Sequence, residues 1–363
     1  MNSEKPRCLI LLEQSCKSKA TWIHYKGFLD LFLKWAHKDY QSLLLLSKKE
    51  LDDLLQDYVF YLKKRCDSKE FHPNSFSTVF NGIAKFLDIN DKEYNKRKLN
   101  MLFPQRVKYG GEKAITTKQI QQVLESTGRK REKALVHVFC STGARPDAIR
   151  NLQLKHVVPF KDGYWKVTLY PQDLHEMITF LHPEAVQSLE DYFDERKSNG
   201  EKLTSESYVF RSSRFIVTEL KPHPLSLNAL EALMNRLLQK SKIDRIKTGK
   251  RFDLATCTAM LKRFNTILER NSEISVPISQ LLMDHTGYMD RHYLKPTEEE
   301  LFEEYTKAVP DLVIDNSIRL REENRIKEQK ISELESDKDR RISDLESKMD
   351  QITSLLEQAK NSS

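Results

Sequence analysis

Apolar residues spaced for one face of a helix constrain this chain to a fold built mainly from α-helices. TWIHYKGFLDLFLKWAHK sets Trp22, Tyr25, Phe28, Leu29, Phe32 and Trp35 on a single helical face. Ser47 and Glu50 form a capping-box pair that opens a second helix carrying Leu51, Leu54, Leu55, Val59 and Leu62. SFSTVFNGIAKFLDI supplies a third through Phe76, Phe80, Ile83 and Leu87. Aromatics at this spacing read as core rather than as base-stacking groups. With 10 glycines and 12 prolines in 363 residues, breakers are scarce, as a helical chain requires. Residues 1–104 therefore read as a small helical bundle.

The stretch QRVKYGGEKA (105–114) is basic and flexible at Gly110-Gly111, which marks a linker between domains. A second domain follows over 115–315. Thr116 or Thr117 caps its first helix, and the apolar ALVHVFCSTG forms another. YWKVTLY and EMITFL read as two strands joined by the turn YPQDLHE, and Pro183 starts the helix through EAVQSLEDYF. Further helices are expected over Leu225–Leu238, Thr256–Leu268, Ile278–Met283 and Glu298–Ala308. The fold class is thus mainly α, with one small antiparallel β-sheet in the second domain. The tail, 316–363, is polar and helix-favouring, and ISELESDKDRR is followed by ISDLESKMDQI at an 11-residue offset. Ile342, Leu345, Met349, Ile352 and Leu356 keep heptad spacing, while Lys338 and Arg341 interrupt the seam. A C-terminal coiled-coil helix that associates protomers is the preferred reading; a solvated single helix is the alternative.

Charge is distributed unevenly. Residues 1–114 hold 21 Lys+Arg against 14 Asp+Glu (+7), 115–315 hold 29 against 28 (+1), and 316–363 hold 10 against 11 (−1). The surplus therefore lies in the N-terminal third, where it suits phosphate contacts or simply solvates a lysine-rich surface. A second basic run, Arg236 to Arg251, has seven basic residues against one acidic and suits a phosphate backbone. Five cysteines without a CxxC argue against a disulfide framework or a structural zinc site, and point to a reduced, cytoplasmic setting. The four-residue apolar run LILL is too short for a signal peptide, and no stretch could span a membrane.

Two segments carry chemistry. STGARPDAIRNLQLKHV puts Arg145 at a helix entrance, before the helix-starting Pro146. LLMDHTGYMDRHYLKPTEEELFEEY sets His285 eight residues before Tyr293. A tyrosine can attack a phosphodiester and store its bond energy as phosphotyrosine, with a histidine as proton partner or phosphate donor. STGARPDAIRNL resembles the first arginine box of tyrosine recombinases, the phage-type integrases. LLMDHTG resembles their box III, and DRHYLKPTEEELFEEYTKAVPDLVI resembles the nucleophile segment of archaeal members especially. The likeness runs from about Trp22 to Asp315, most of the chain.

The resemblance implies a two-domain clamp on double-stranded DNA that exchanges strands through a 3′-phosphotyrosine, with no metal or other cofactor. Residues 1–104 would be its core-binding domain and 115–315 its catalytic domain, working as a homo-oligomer on DNA. Arg145, His285 and Tyr293 fill the catalytic positions. Phosphate contacts would come from Arg106, Lys108 and Lys113 of the linker, and from Arg236, Lys240, Lys242, Arg245, Lys247, Lys250 and Arg251.

Departures accompany the match. Asp284 stands where the family usually has glycine, bringing a carboxylate beside the phosphate pocket. Leu174, followed by His175, occupies the place of the turn lysine that protonates the leaving oxygen. Thr258 and Leu261 occupy the box II histidine and arginine places, leaving Lys262, Arg263 and His175 as compensating candidates. Losing one preorganised donor commonly costs ~10²–10³ in rate, and losing general-acid help ~10²–10⁴. Three functions follow: a site-specific recombinase, a DNA-binding relative with impaired strand transfer serving an architectural or regulatory role, or a helical scaffold with no DNA role.

Overall fold

The computed structural model describes residues 5–107, 113–212, 223–248, 251–284 and 295–361. They fall into two compact units, 1–108 and 109–363.

The first unit comprises helices α1 (Arg7–Gln14), α2 (Lys19–Ala36), α3 (Tyr40–Leu45), α4 (Lys48–Asp67), α5 (Phe76–Ile89) and α6 (Lys96–Met101). Side chains set the starts: Ser18 caps α2, and Ser47 with Glu50 closes a reciprocal box on α4. The core gathers Leu12, Leu29, Phe32, Leu51, Leu55, Val59, Ile83 and Phe86. Of the apolar face expected on α2, Leu29 and Phe32 are buried, while Trp22, Phe28 and Trp35 pack partly covered around them. Trp35 lies 4.9 Å from the ring of Tyr58 and 5.5 Å from that of Tyr61. A Cβ on Gly82 would stand 2.9 Å from the Tyr25 carbonyl oxygen, so the missing side chain lets α5 approach α2 closely.

The second unit opens with α7 (Thr117–Glu125), capped by Thr116. Next comes α8 (Lys130–Thr142), buried continuously from Ala134 to Thr142, and then the short α9 (Pro146–Asn151). An antiparallel sheet follows, ordered β1 (Val157–Pro159), β2 (Trp165–Leu169), β3 (Met177–Leu181). Its register runs Val157↔Val167 and Leu169↔Met177. The two expected strands are β2 and β3; β1 adds a third that three residues could not announce by alternation. Helix α10 (Pro183–Ser198) then packs along α8. After α11 (Leu227–Lys240), a two-stranded hairpin pairs β4 (Lys247–Thr248) with β5 (Arg251–Phe252).

Helices α12 (Thr258–Arg270), α13 (Val276–Leu282) and α14 (Glu298–Leu312) build a second apolar cluster around Phe180, Phe264, Tyr305 and Val309. The first of them starts two residues after the expected Thr256, and α14 runs four residues past the expected end at Ala308 despite Pro310. The chain ends in α15 (Asn316–Asn361), a 46-residue helix. Its first turns dock on the unit: the Tyr164 hydroxyl donates to buried Glu322 at 2.9 Å, and Arg325 donates to the same carboxylate at 2.9 Å. Farther along, Ile331, Leu334, Ile342, Leu345 and Met349 are exposed. No described helix is long and apolar enough to cross a membrane.

Candidate functional site

The turn that presents Arg145 is built by its neighbours. Gly143 ends α8 in the left-handed region at φ 58° and donates its N–H to the Phe139 carbonyl at 3.0 Å. A Cβ there would fall 2.3 Å from Cδ1 of Phe264, so only glycine lets this turn rest on α12. Ala144 donates its N–H to the Thr142 hydroxyl at 3.2 Å. Arg145 is then the N-cap of α9, extended at φ −73° and ψ 150°, with Pro146 fixing the first helical residue. A guanidinium at this turn is aimed by backbone that can hardly move.

The Arg145 guanidinium donates to the carboxylate of Asp284, whose side chain is only 5% exposed. Asp284 follows α13 in the left-handed region at φ 54°, donating its N–H to the Leu281 carbonyl at 3.2 Å. The glycine expected at this place would suit that conformation. Aspartate is among the few other residues that enter it routinely. His175 Nδ1 stands 3.8 Å from the other oxygen of the same carboxylate. Tyr170, at φ 50° on the β2–β3 turn, also lies against Arg145. Burial raises the Tyr170 phenol above the ordinary tyrosine value, and the guanidinium opposes that rise. Arg145, Asp284, Tyr170 and His175 thus come together from three separate stretches of chain.

The remaining positions divide sharply. His285 and Tyr293, with Lys108 and Lys250, lie outside the described residues. Leu174 sits on the β2–β3 turn, 94% exposed. Thr258 is exposed at the first residue of α12, and Leu261 and Lys262 are half-buried one turn on. Arg263 is buried and faces elsewhere. Its guanidinium donates to the carbonyls of Asp311 at 2.5 Å and Leu312 at 3.2 Å, and to the Thr117 hydroxyl at 3.2 Å. It serves as a side-chain cap on the end of α14, which is how that helix extends past Pro310.

The basic candidates sort in the same way. Arg106, Arg236, Lys240, Lys242, Lys247 and Arg251 are exposed. Lys113 is held by Asp253 at 2.7 Å, and its backbone N–H donates to the Asp253 carbonyl at 3.1 Å. Arg245 lies 4.1 Å over the Phe252 ring and donates to the Leu254 carbonyl and the Asn235 side chain, each at 3.0 Å. These two hold the β4–β5 hairpin in place. Tyr170 was not signalled by the sequence, because its role depends on a turn conformation and a contact with a residue 25 positions away.

A family model described as the phage integrase family matches residues 113–300. Among solved structures, the Tn1549 transposon integrase in complex with transposon right end DNA is 13% identical, with a TM-score of 0.55, covering 82% of this chain and 98% of that one. XerH site-specific recombinase bound to difH substrate is 15% identical, with a TM-score of 0.51 and coverage of 82% and 89%. A lambda integrase dimer bound to a COC′ core site is 14% identical, with a TM-score of 0.51 and coverage of 80% and 96%. Likeness at this identity establishes the shared fold. No curated protein matches the sequence.

Proposed function

Because the chain belongs to the phage integrase family, we propose that it is a site-specific tyrosine recombinase that cuts and rejoins duplex DNA through Tyr293. The observation that carries this reading is the Arg145 turn. Its guanidinium is fixed by Gly143 and Pro146 and already engages an anionic group, at the end of the helix that leads to His285. A guanidinium fork matches two phosphate oxygens and stabilises the charge that builds as a phosphodiester is attacked. Tyr293 is the nucleophile, His285 a proton donor, and a 3′-phosphotyrosine the intermediate, with neither metal nor nucleotide required.

Residues 1–104 supply phosphate contacts from their positive surplus, 105–114 link the domains, and 115–315 carry the reaction. Exposed Arg236, Lys240, Lys242 and Lys247 extend the phosphate-binding surface. The protein works as a homo-oligomer on DNA, and the exposed apolar residues of α15 pair protomers as a coiled coil.

One set of observations favours a second reading, a DNA-binding relative with weakened strand transfer. Exposed Leu174 offers no proton at the strand turn, Thr258 and Leu261 offer no fork, and Arg263 is committed to the α14 carbonyls. The test is incubation with nicked duplexes from the cognate element, which trap any covalent adduct, using wild type and Tyr293→Phe. Adducts with wild type and none with Tyr293→Phe support the recombinase. Binding without adducts selects the second reading, and adducts persisting in Tyr293→Phe would overturn the nucleophile assignment.

A further inference from the structure

Asp284 breaks three local rules at once. It takes a left-handed backbone conformation that glycine prefers, and it puts a negative charge at a helix C-terminus, where the dipole favours cations. It also buries that carboxylate to 5% exposure. A glycine would incur none of these costs. The Arg145 guanidinium offsets part of them, receiving the carboxylate as it would receive any planar or tetrahedral oxyanion. Arg145 itself is 45% exposed, so its guanidinium is reachable from solvent while one of its Nη groups is engaged by Asp284.

We propose that Asp284 is a built-in phosphate surrogate: it occupies the Arg145 fork in the free protein, and a DNA phosphate must displace it to bind there. The inference rests on the reading of Arg145 as the phosphate-binding arginine. Carboxylate and phosphodiester compete for the same donors, and each repels the other at contact distance. Displacement turns the Asp284 carboxylate away from Arg145, towards His175, whose Nδ1 is 3.8 Å from its other oxygen. Arg145 is thereby kept engaged, and stray anions are held off it until a duplex brings its phosphate into register. The competition lowers affinity at this one contact and leaves the rest of the DNA surface untouched.

The test is duplex binding by the full chain, with a mixed-sequence DNA titrated across a range of salt. Asp284→Asn keeps the size of the side chain and its tolerance for the left-handed conformation while removing the charge. It should bind about tenfold tighter, within the usual range for coupled ligands, with a log–log salt slope steeper by about one phosphate contact. Asp284→Gly, which suits the backbone best, should behave alike and guards against a variant that fails to fold. In an Arg145→Ala background both gains should vanish. Unchanged or weaker binding by both variants overturns the proposal, as does an equal gain in the Arg145→Ala background, which would reveal a general charge effect. No strand cleavage is needed for this readout. A gain in binding without adducts would therefore remove the recombinase reading and keep the surrogate, whereas wild-type adducts without a gain would do the reverse.

Discussion

Replacing Gly143 by alanine tests whether the Arg145 turn is locked in the way its geometry requires. The new Cβ would lie 2.3, 2.5 and 2.9 Å from Cδ1, Cγ and Cβ of Phe264, a ring with no exposed surface. The ring cannot swing into solvent, so either α12 or the turn must shift, at an overpacking cost of about 1–3 kcal/mol. A left-handed conformation adds roughly 1–2 kcal/mol for any residue with a Cβ. Together the loss is about 2–5 kcal/mol, or about 5–15 °C in the melting temperature of a unit this size. Gly27 gives the contrasting case within the same chain. It is exposed inside α2 with nothing within 4 Å of a built Cβ, so alanine there should stabilise by up to ~1 kcal/mol through helix propensity. Urea and thermal unfolding of the two variants should move in opposite directions. A Gly143→Ala loss below about 1 kcal/mol would mean that Phe264 yields freely and that nothing rigid aims Arg145.

Other perturbations separate surface charge from structural charge. Alanine at Lys240, Lys242 and Lys247, all exposed, should flatten the salt dependence of duplex binding by about 0.9 per lost phosphate contact. Arg245→Ala should instead loosen the β4–β5 hairpin, seen as faster hydrogen exchange there, because its guanidinium is spent on Asn235, Leu254 and Phe252. His137 and His182 are buried, and burial pushes their pKa values down to about 4 and about 3. Since the unfolded chain takes up those protons first, stability should fall below pH ~6.5, by up to about 1.4 kcal/mol per pH unit for each histidine. His137→Gln should make acid unfolding less steep between pH ~6.5 and 4. Removing residues 331–361 while keeping the docked turns around Glu322 should lower the mass measured by light scattering if the distal helix pairs protomers; an unchanged mass would leave that helix solitary.

The helices were legible where local signals agreed. Apolar spacing and a reciprocal cap at Ser47 and Glu50 coincide on α4, and the alternation of YWKVTLY and EMITFL defines β2 and β3. Elsewhere tertiary contacts decided. The helix expected to end at Ala308 runs on through Pro310 to Leu312, where Arg263, 48 and 49 residues away in sequence, takes up the Asp311 and Leu312 carbonyls. The same contact holds the Arg263 guanidinium against the Asp311 and Leu312 carbonyls, a pairing that spacing along α12 does not announce. Lys113 and Arg245 are comparable cases: basic residues in basic stretches, one paired with Asp253, 140 positions on, and the other with Asn235, ten positions back. The docking of Glu322 and Arg325 on Tyr164 is equally hidden, since a charged pair at the start of a polar helix looks like ordinary solvated surface.

Arg145 and Asp284 show what local rules can reveal when they fail. Gly143 follows the rule that a left-handed helix end takes glycine, and its neighbour Phe264 explains why nothing larger fits. Asp284 is disfavoured by dipole and by burial, and Arg145, 139 positions away, helps to make its place tenable. Both residues meet at one guanidinium. Natural sequences usually violate such rules at functional or strained positions, and Asp284 is one such violation, bearing on the side chain that Gly143 positions. A structural salt bridge would explain Asp284 alone, but would leave no reason to keep its partner arginine 45% open to solvent. An arginine meant to be shared between an internal carboxylate and an incoming phosphate has to be reachable from outside. The decisive measurement is therefore the dependence of duplex affinity on residue 284 with Arg145 present and absent. Stability alone would report the bridge without reporting the exchange.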